Sequence, residues 1–530
     1  MRRWNGWGDE SDQFALSDDA LDFLRARLGD GRPPRDASLE TALQAVPASR
    51  LPASTRFDVS PRPRLLHARG QSFPDWVAMK AGRFGPFADG VAMPATHAEA
   101  AEALAGAQKL GAIVIPYGGG TSVVGHLNVP VGERPVVNIS FERMNRLLSF
   151  DDQSHLATFG AGTPGPQVEA QLRTHGFLLG HFPQSYDFST IGGWVVTRSS
   201  GQQSLRYGRI EQMFASGRLL TPRGELAIGG VPASAAGPDL REVLMGSEGR
   251  LGLLTEVTAR VRRLPQAEDF HAVFFPSWDA GVEGVRAIVQ AEVPLSMLRL
   301  SNEIETETQL RLSGHVELIK WLQRYLGMRG IGDGQCMMVF GASGTLGETR
   351  RMRRDALAIA KQFRGVHVGK TIGKSWAKNR FRGPLLRNAL WEHGYAADTV
   401  ETAVNWPQAT TMMRAIEARA REVLQVDGER VHAFTHLSHV YRQGCSVYST
   451  FVFRSSGDAD ADFERWRQLK SRVSEAIVAN GGTISHQHGV GVDHAPYLVH
   501  EKGELGMDLL RAMARELDPQ QMMNPGKLFA

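Results

Sequence analysis

Toward the end of the chain, GGTISHQHGVGVDH (residues 481–494) sets His486 and His488 one residue apart among glycines. Imidazole titrates near neutrality when unperturbed and also ligates transition metals, so the pair admits an acid and a base, a metal site or an ordinary loop. Between them, Gln487 carries a carboxamide that neither gains nor loses a proton near neutrality. A second pair, His436 and His439 in THLSHVY, would join the first as ligands for Zn²⁺ or Mn²⁺ if the fold brought them together.

Three glycine-rich stretches suit an anion. PYGGGTSVVGHLN (residues 116–128) follows an apolar run, and its triglycine lets backbone approach a phosphate and present successive N–H groups to it. It is not a nucleotide loop of the commonest kinds. Gly120 and Gly125 have Walker spacing, but His126 and Leu127 stand where Lys and Ser/Thr are required, and Val123 occupies the third glycine of G-x-G-x-x-G. HFPQSYDFSTIGGWVVTRSSGQQSLRYG (residues 181–208) adds hydroxyls, Trp194 and Arg198, and GSEGRLGLLTEV (residues 246–257) is a glycine turn entering a strand.

The elements that must position these groups are readable in outline. Thr96 and Glu99 form a T-x-x-E capping signature before a helical pattern ending near Gly111, and AIVIP (residues 112–116) reads as a buried strand. VVNIS and LATFG read as strands, PGPQVEAQLRTHG as a helix, and LGLLTEVTARV as a strand closing this unit. HAVFFPSW and AGVEGVRAIVQAE begin a second strand and helix series, and DADFERWRQLKSRVSEAIVANGG is a long helix before the histidine loop. At 530 residues the chain exceeds what one core supports. Four segments are expected: an N-terminal extension over 1–90, a first domain over 91–265, a second over 266–455 and a C-terminal segment over 456–530.

Composition excludes several classes. A net charge of +4 with no Lys/Arg block does not suit nucleic acid, and two distant cysteines, Cys336 and Cys445, support neither a disulfide framework nor a zinc finger. No window approaches the roughly 18 apolar residues of a membrane span, and no apolar run follows the basic N-terminus. The expected setting is cytoplasmic, with peripheral membrane contact left open.

Taken in order, WNGWG (residues 4–8), PYGGGTSVVGHLN, GHFPQSYDFSTIGGWVVTRSSG, GSEGRLGLLTE, ETAVNW (residues 401–406), GCSVY (residues 444–448), SHQHGVG and DPQQMMNPGKL (residues 518–528) resemble the FAD-binding vanillyl-alcohol oxidase (p-cresol methylhydroxylase) superfamily. Within it the resemblance is to the alkyldihydroxyacetonephosphate synthase branch. It implies an α+β fold: a PCMH-type FAD-binding domain, a second α+β cap domain over the flavin and an N-terminal helical extension. Carried over by motif, FAD would meet Pro116, Tyr117, Gly118, Gly119, Gly120, Thr121 and Ser122 on the first loop. On the second it would meet Gln184, Ser185, Asp187, Ser189, Thr190, Thr197, Arg198, Ser199 and Ser200, and on the third Glu248, Gly249, Leu251, Gly252 and Leu254. Thr121 follows the triglycine, where the family's covalent flavin histidine often lies nearby, so non-covalent FAD is expected, with His126 as the lesser attachment point.

The branch's reaction exchanges the acyl chain of acyl-dihydroxyacetone phosphate for a fatty alcohol without net redox, with the flavin as nucleophile and electron sink. Tyr448 matches the catalytic tyrosine, Arg387 the arginine that meets the substrate, and Arg299 and His181 further positions near the site. His486, Gln487 and His488 stand where those synthases carry three consecutive histidines, so a proton-transferring role falls to His486 or His488. The departure favours an alternative, a flavin dehydrogenase or oxidase of a D-2-hydroxy acid or polyol. Such enzymes of the superfamily hold a divalent metal with G-E-H-G-I-G and further histidines. Glutamine replaces the acidic ligand here and G-D-G-N is missing, so no metal is expected. A catalytically altered FAD-binding paralogue is the third reading. A homodimer is expected from the resemblance alone.

Overall fold

The computed structural model describes residues 2–52, 56–312, 316–425 and 428–529. A parallel three-stranded sheet begins the cofactor side, with Val136–Ser140 between Gly90–Ala92 and Ile113–Tyr117. The helix His97–Lys109 crosses between the outer strands and buries Ala100, Ala103, Leu104 and Ala107 against them. Thr96 accepts the Glu99 N–H at 3.1 Å, while the Glu99 carboxylate accepts from Ala95, one residue before the cap. The expected capping signature is therefore present, displaced by one residue on its return arm.

Pro116 lies in Ile113–Tyr117, an outer strand, where its missing N–H breaks no ladder within the sheet. That outer edge is covered by the C-terminal tail. Val114 N donates to Met522 O and Asn524 N to Val114 O, both at 2.8 Å, and Met522 and Met523 are fully buried. Burying each methionine contributes about 1.5–3 kcal/mol.

Five antiparallel strands form a second sheet, in the order Leu147–Asp151, Leu156–Gly160, Leu253–Arg260, Phe214–Thr221, Gly224–Ile228. Its core includes Phe159, Trp194, Phe214 and Val257, and the C-terminal helix Leu498–Leu517 packs on it through Leu498, Met507 and Ala514.

The third sheet has seven antiparallel strands, ordered Val366–His367, Ala267–Phe275, Cys336–Gly344, Met297–Ser301, Val431–Leu437, Gly444–Arg454, Tyr395–Asn405. Alternation divides its faces. Cys445, Val447, Phe451 and Phe453 enter a core shared with the helices Trp278–Gln290, Leu346–Gln362 and Ala409–Gln425, whereas Ser446, Tyr448 and Thr450 point to the opposite face. The helix Ala459–Ala479 contributes Trp466, Leu469, Val473 and Ile477 to the same core.

The N-terminal residues are woven in. Trp7 exchanges two hydrogen bonds with the Asn388 carboxamide, at 3.2 and 2.9 Å, and Phe73 and Trp76 join the large core. Both cysteines are buried and free.

Candidate active site

A cavity with an empty volume of about 1380 Å³, mouth included, opens where the three sheets meet. Its walls include Pro116, Gly118, Gly119, Gly120, Thr121 and Ser122 from the first glycine loop. Gln184, Ser185, Ser189, Thr190, Thr197 and Ser199 come from the second, and Glu248, Gly249, Gly252 and Leu254 from the third. The three glycine stretches do converge.

Local geometry explains the glycines. A Cβ on Gly119 would stand 1.9 Å from the Phe188 carbonyl oxygen, so the first two loops can touch only with hydrogen at that position, and Gly120 holds φ +71. The N–H groups of residues 118–122 donate to no described residue. Five free donors in a row beside a long cavity fit the pyrophosphate of a dinucleotide.

Five residues assigned to the cofactor do not line this cavity. Tyr117 is fully buried beneath the loop, its hydroxyl bonded to Leu66 O and Arg2. Leu251 lies in the core of the five-stranded sheet. Asp187 is exposed, and Arg198 caps its helix in the left-handed region while paired with Glu242 and Glu211. Ser200 turns its hydroxyl to His439 Nδ1 at 3.2 Å. His126 does line the cavity, but its ring nitrogens face Ser122 Oγ at 2.8 Å and Glu248 Oε2 at 3.0 Å.

Tyr448 and His488 form part of the cavity wall beside Gln487. Register places Glu401, Tyr448 and His436 directly opposite one another on three adjacent strands, so all three share a face. The His436 ring stacks on Tyr448 at 4.7 Å, His488 meets it edge-on at 5.8 Å, and the phenol donates to Gln184 Oε1 at 3.3 Å. Burial pushes the Tyr448 hydroxyl far above its ordinary range, so it rests as a neutral donor.

The three substrate-binding candidates stand behind the wall. His181 is fully buried against Trp194, with Nε2 3.1 Å from Ser199 Oγ, and burial lowers it to about 3. Arg299 donates to Glu305 at 2.6 Å and lies 3.1 Å from His436 Nδ1. Burial alone would raise the Glu305 carboxyl, but His436 and Arg299 outweigh it and hold it at about 2. Arg387 lies over the Trp76 ring at 4.8 Å and donates through Nη1 to Gln71 O, leaving a buried Nη2 without a partner. Pro384, one turn earlier on the same helix, lines the cavity.

The two histidine pairs are dealt out differently from their sequence pairing. His436 and His488 flank Tyr448, whereas His439 and His486 meet at Glu401, their ligand-type atoms all within 4.8 Å of one another. Glu401 is completely enclosed. It accepts from Ser438 Oγ and Gln487 Nε2, each at 2.5 Å, with His486 Nδ1 at 3.3 Å and His439 Nε2 at 3.9 Å. On its far side, His486 Nε2 receives Arg209 Nη1 at 2.6 Å and lies 2.7 Å from the Tyr441 hydroxyl.

This donor set does not suit a metal ion. A guanidinium only donates, so Nε2 is the acceptor and the ring proton sits on Nδ1, the atom that would have to bind the cation. The Arg209 charge and the donors already on Glu401 act against it too. Burial lowers His486, and Glu401 is held well below the usual carboxylate range, where contact with His486 outweighs burial.

Glu401, Arg209 and Tyr441 were not among the sequence candidates. Only Glu401 had a signal available: its place in ETAVNW, on a strand whose alternate residues enter the core.

Comparison with known proteins agrees with this construction. Residues 88–229 match the FAD binding domain family, and residues 264–528 match FAD linked oxidases, C-terminal domain. An alkyldihydroxyacetonephosphate synthase of Trypanosoma brucei brucei is 32% identical over 476 residues, covering 88% of this chain and 77% of that one. A mitochondrial D-lactate dehydrogenase [cytochrome] of Arabidopsis thaliana is 24% identical, covering 83% and 73%. A solved alkyldihydroxyacetonephosphate synthase superposes with a TM-score of 0.84 at 26% identity, over 99% of this chain and 98% of that one. Substrate-bound p-cresol methylhydroxylase, 13% identical with a TM-score of 0.69 over 94% and 98%, shares the fold. The chain belongs to the FAD-linked oxidases of the vanillyl-alcohol oxidase and p-cresol methylhydroxylase family, and resembles the alkyldihydroxyacetonephosphate synthases over most of its length.

Proposed function

We propose that this flavoprotein exchanges the acyl chain of acyl-dihydroxyacetone phosphate for a long-chain alcohol, without net redox. The observation that carries the reading is the neutral Tyr448 phenol in the cavity wall between His436 and His488. FAD, when bound, supplies a ring able to act as nucleophile and electron sink toward the substrate carbon.

The chain's own groups do the rest. Tyr448 exchanges a proton with the substrate carbon, and its raised pKa returns the phenol to the protonated state after each turnover. Arg387 suits the phosphate through its Nη2, which has no partner among the described residues, while Gln71 O holds Nη1. The acyl chain leaves as a carboxylate while the alcohol oxygen takes its place on the same carbon. The hydrogen bond of His126 Nδ1 to Ser122 Oγ, with Nε2 3.0 Å from Glu248 Oε2, supports non-covalent cofactor.

The test is anaerobic. Palmitoyl-dihydroxyacetone phosphate with 1-hexadecanol should yield the alkyl product while the yellow absorbance persists. Bleaching by a D-2-hydroxy acid, with no alkyl product, would favour the oxidising alternative, to which the D-lactate dehydrogenase relative lends weight.

A further inference from the structure

The residue between the two loop histidines has a fixed orientation. Gln487 Nε2 donates to Glu401 Oε2 at 2.5 Å, and an ionised carboxylate can only accept, so the amide cannot turn over without setting oxygen against oxygen. Glu401 is ionised: burial opposes this, but the His486 ring and the neighbouring histidines outweigh it. The other end of the amide is therefore the one the cavity meets. Gln487 forms part of the cavity wall, and its Oε1 accepts no hydrogen bond from the described residues and is not enclosed by protein.

A carbonyl oxygen backed by a buried carboxylate makes that end of the cavity attractive to an O–H donor and repulsive to an anion. Arg387, with its buried Nη2 lacking a partner among the described residues, stands behind the wall and not at this end. A neutral alcohol therefore satisfies the Gln487 end where a carboxylate does not.

We propose that Gln487 Oε1 accepts the hydroxyl hydrogen of the incoming long-chain alcohol, and that Glu401 is the positioning residue that keeps this oxygen facing the cavity. The assignment rests on the transferase reading. As the alcohol oxygen bonds the substrate carbon, its O–H bond breaks and the proton passes to His488, which burial keeps neutral, while the acyl group departs as a carboxylate. Gln487 holds the hydroxyl and takes no proton.

The experiment uses the purified flavoprotein. Binding of 1-hexadecanol and of palmitoyl-dihydroxyacetone phosphate is read separately from the perturbation of flavin absorbance, alongside turnover. Q487L, with Q487M as a second variant of similar volume, should weaken the alcohol about tenfold, the loss of one hydrogen bond, and leave the phosphate substrate unchanged. Wild-type alcohol affinity should be flat from about pH 5.5 to 8, and Q487H should make it pH-dependent, because imidazole titrates and carboxamide does not. E401Q should weaken the alcohol while flavin content stays constant. Unchanged alcohol affinity in Q487L and Q487M, no alcohol binding in the wild type, or D-lactate binding as tightly as the alcohol would each overturn the assignment. Alcohol binding that depends on Gln487 without any turnover would instead sink the transferase reading and leave only the hydroxyl contact at Gln487 standing.

Discussion

Tyr448 loses little structurally if its hydroxyl is removed, since its contact with Gln184 Oε1 in the cavity wall is a long one at 3.3 Å. Tyr448→Phe should therefore retain bound FAD and its melting temperature while turnover falls roughly 100-fold or more, the usual worth of a positioned proton donor. Retained turnover in that variant would remove the tyrosine from the mechanism. Arg387→Lys should raise KM for the phosphate substrate about tenfold with a smaller change in kcat, because an ammonium cannot reproduce the paired donors or the contact with Trp76. Steady-state kinetics with varied acyl-dihydroxyacetone phosphate checks this. At this scale, residue type and spacing made His486 and His488 legible in the sequence, whereas Tyr448 entered only through the family resemblance of GCSVY. Glu401 stayed hidden because a lone glutamate in a strand looks solvated, and its contact with Gln487 spans 86 residues.

Loops and strands carry a second set of consequences. Glu248 sits in the left-handed region and turns its carboxylate to Val490 N at 2.5 Å and Gly491 N at 2.8 Å, tying the third glycine stretch to the histidine loop. Sequence reasoning assigned it to the cofactor, and it does line the cavity, but these bonds link two loops that composition alone could not pair. Glu248→Ala would strand one buried and one partly buried N–H group, so the melting temperature should drop and flavin should be lost on gel filtration, at about 1–3 kcal/mol for the buried one. Gly119→Ala should also give protein depleted in flavin, read from the ratio of visible to ultraviolet absorbance, because its Cβ has no room against Phe188 O. Elements with strong periodicity, such as Ala459–Ala479, were evident from pattern. The pairing of Tyr448 with Glu401 and His436 depends on register among strands far apart in sequence, which no local pattern encodes.

Across the whole molecule, buried titratable groups set the response to acid. Burial holds His67, His271 and His432 at about 4 and His181 at about 3, below the ordinary value near 6.5. The unfolded chain takes up these protons first, so the histidines cost stability progressively as pH falls from about 6.5 toward 4. Burial raises Glu169 and Asp493 to about 7, and these act in the opposite sense, favouring the folded state as pH falls below 7. His367, His436, His439, His486, His488 and His494 are lowered as well, against the further raised acids Asp75, Asp187 and Glu417, so the depressed bases outweigh the raised acids and the melting temperature should be a few degrees lower at pH 5 than at pH 7 by calorimetry. The sheet edge closed by Met522 and Met523 has another consequence, in time rather than in energy. During synthesis, Ile113–Tyr117 emerges about 400 residues before the segment that covers it, roughly 20–80 s at ~5–20 residues per second. Throughout that interval a hydrophobic parallel strand faces the cell with its hydrogen-bonding edge bare, so the newborn protein is a natural client for chaperones until its tail arrives.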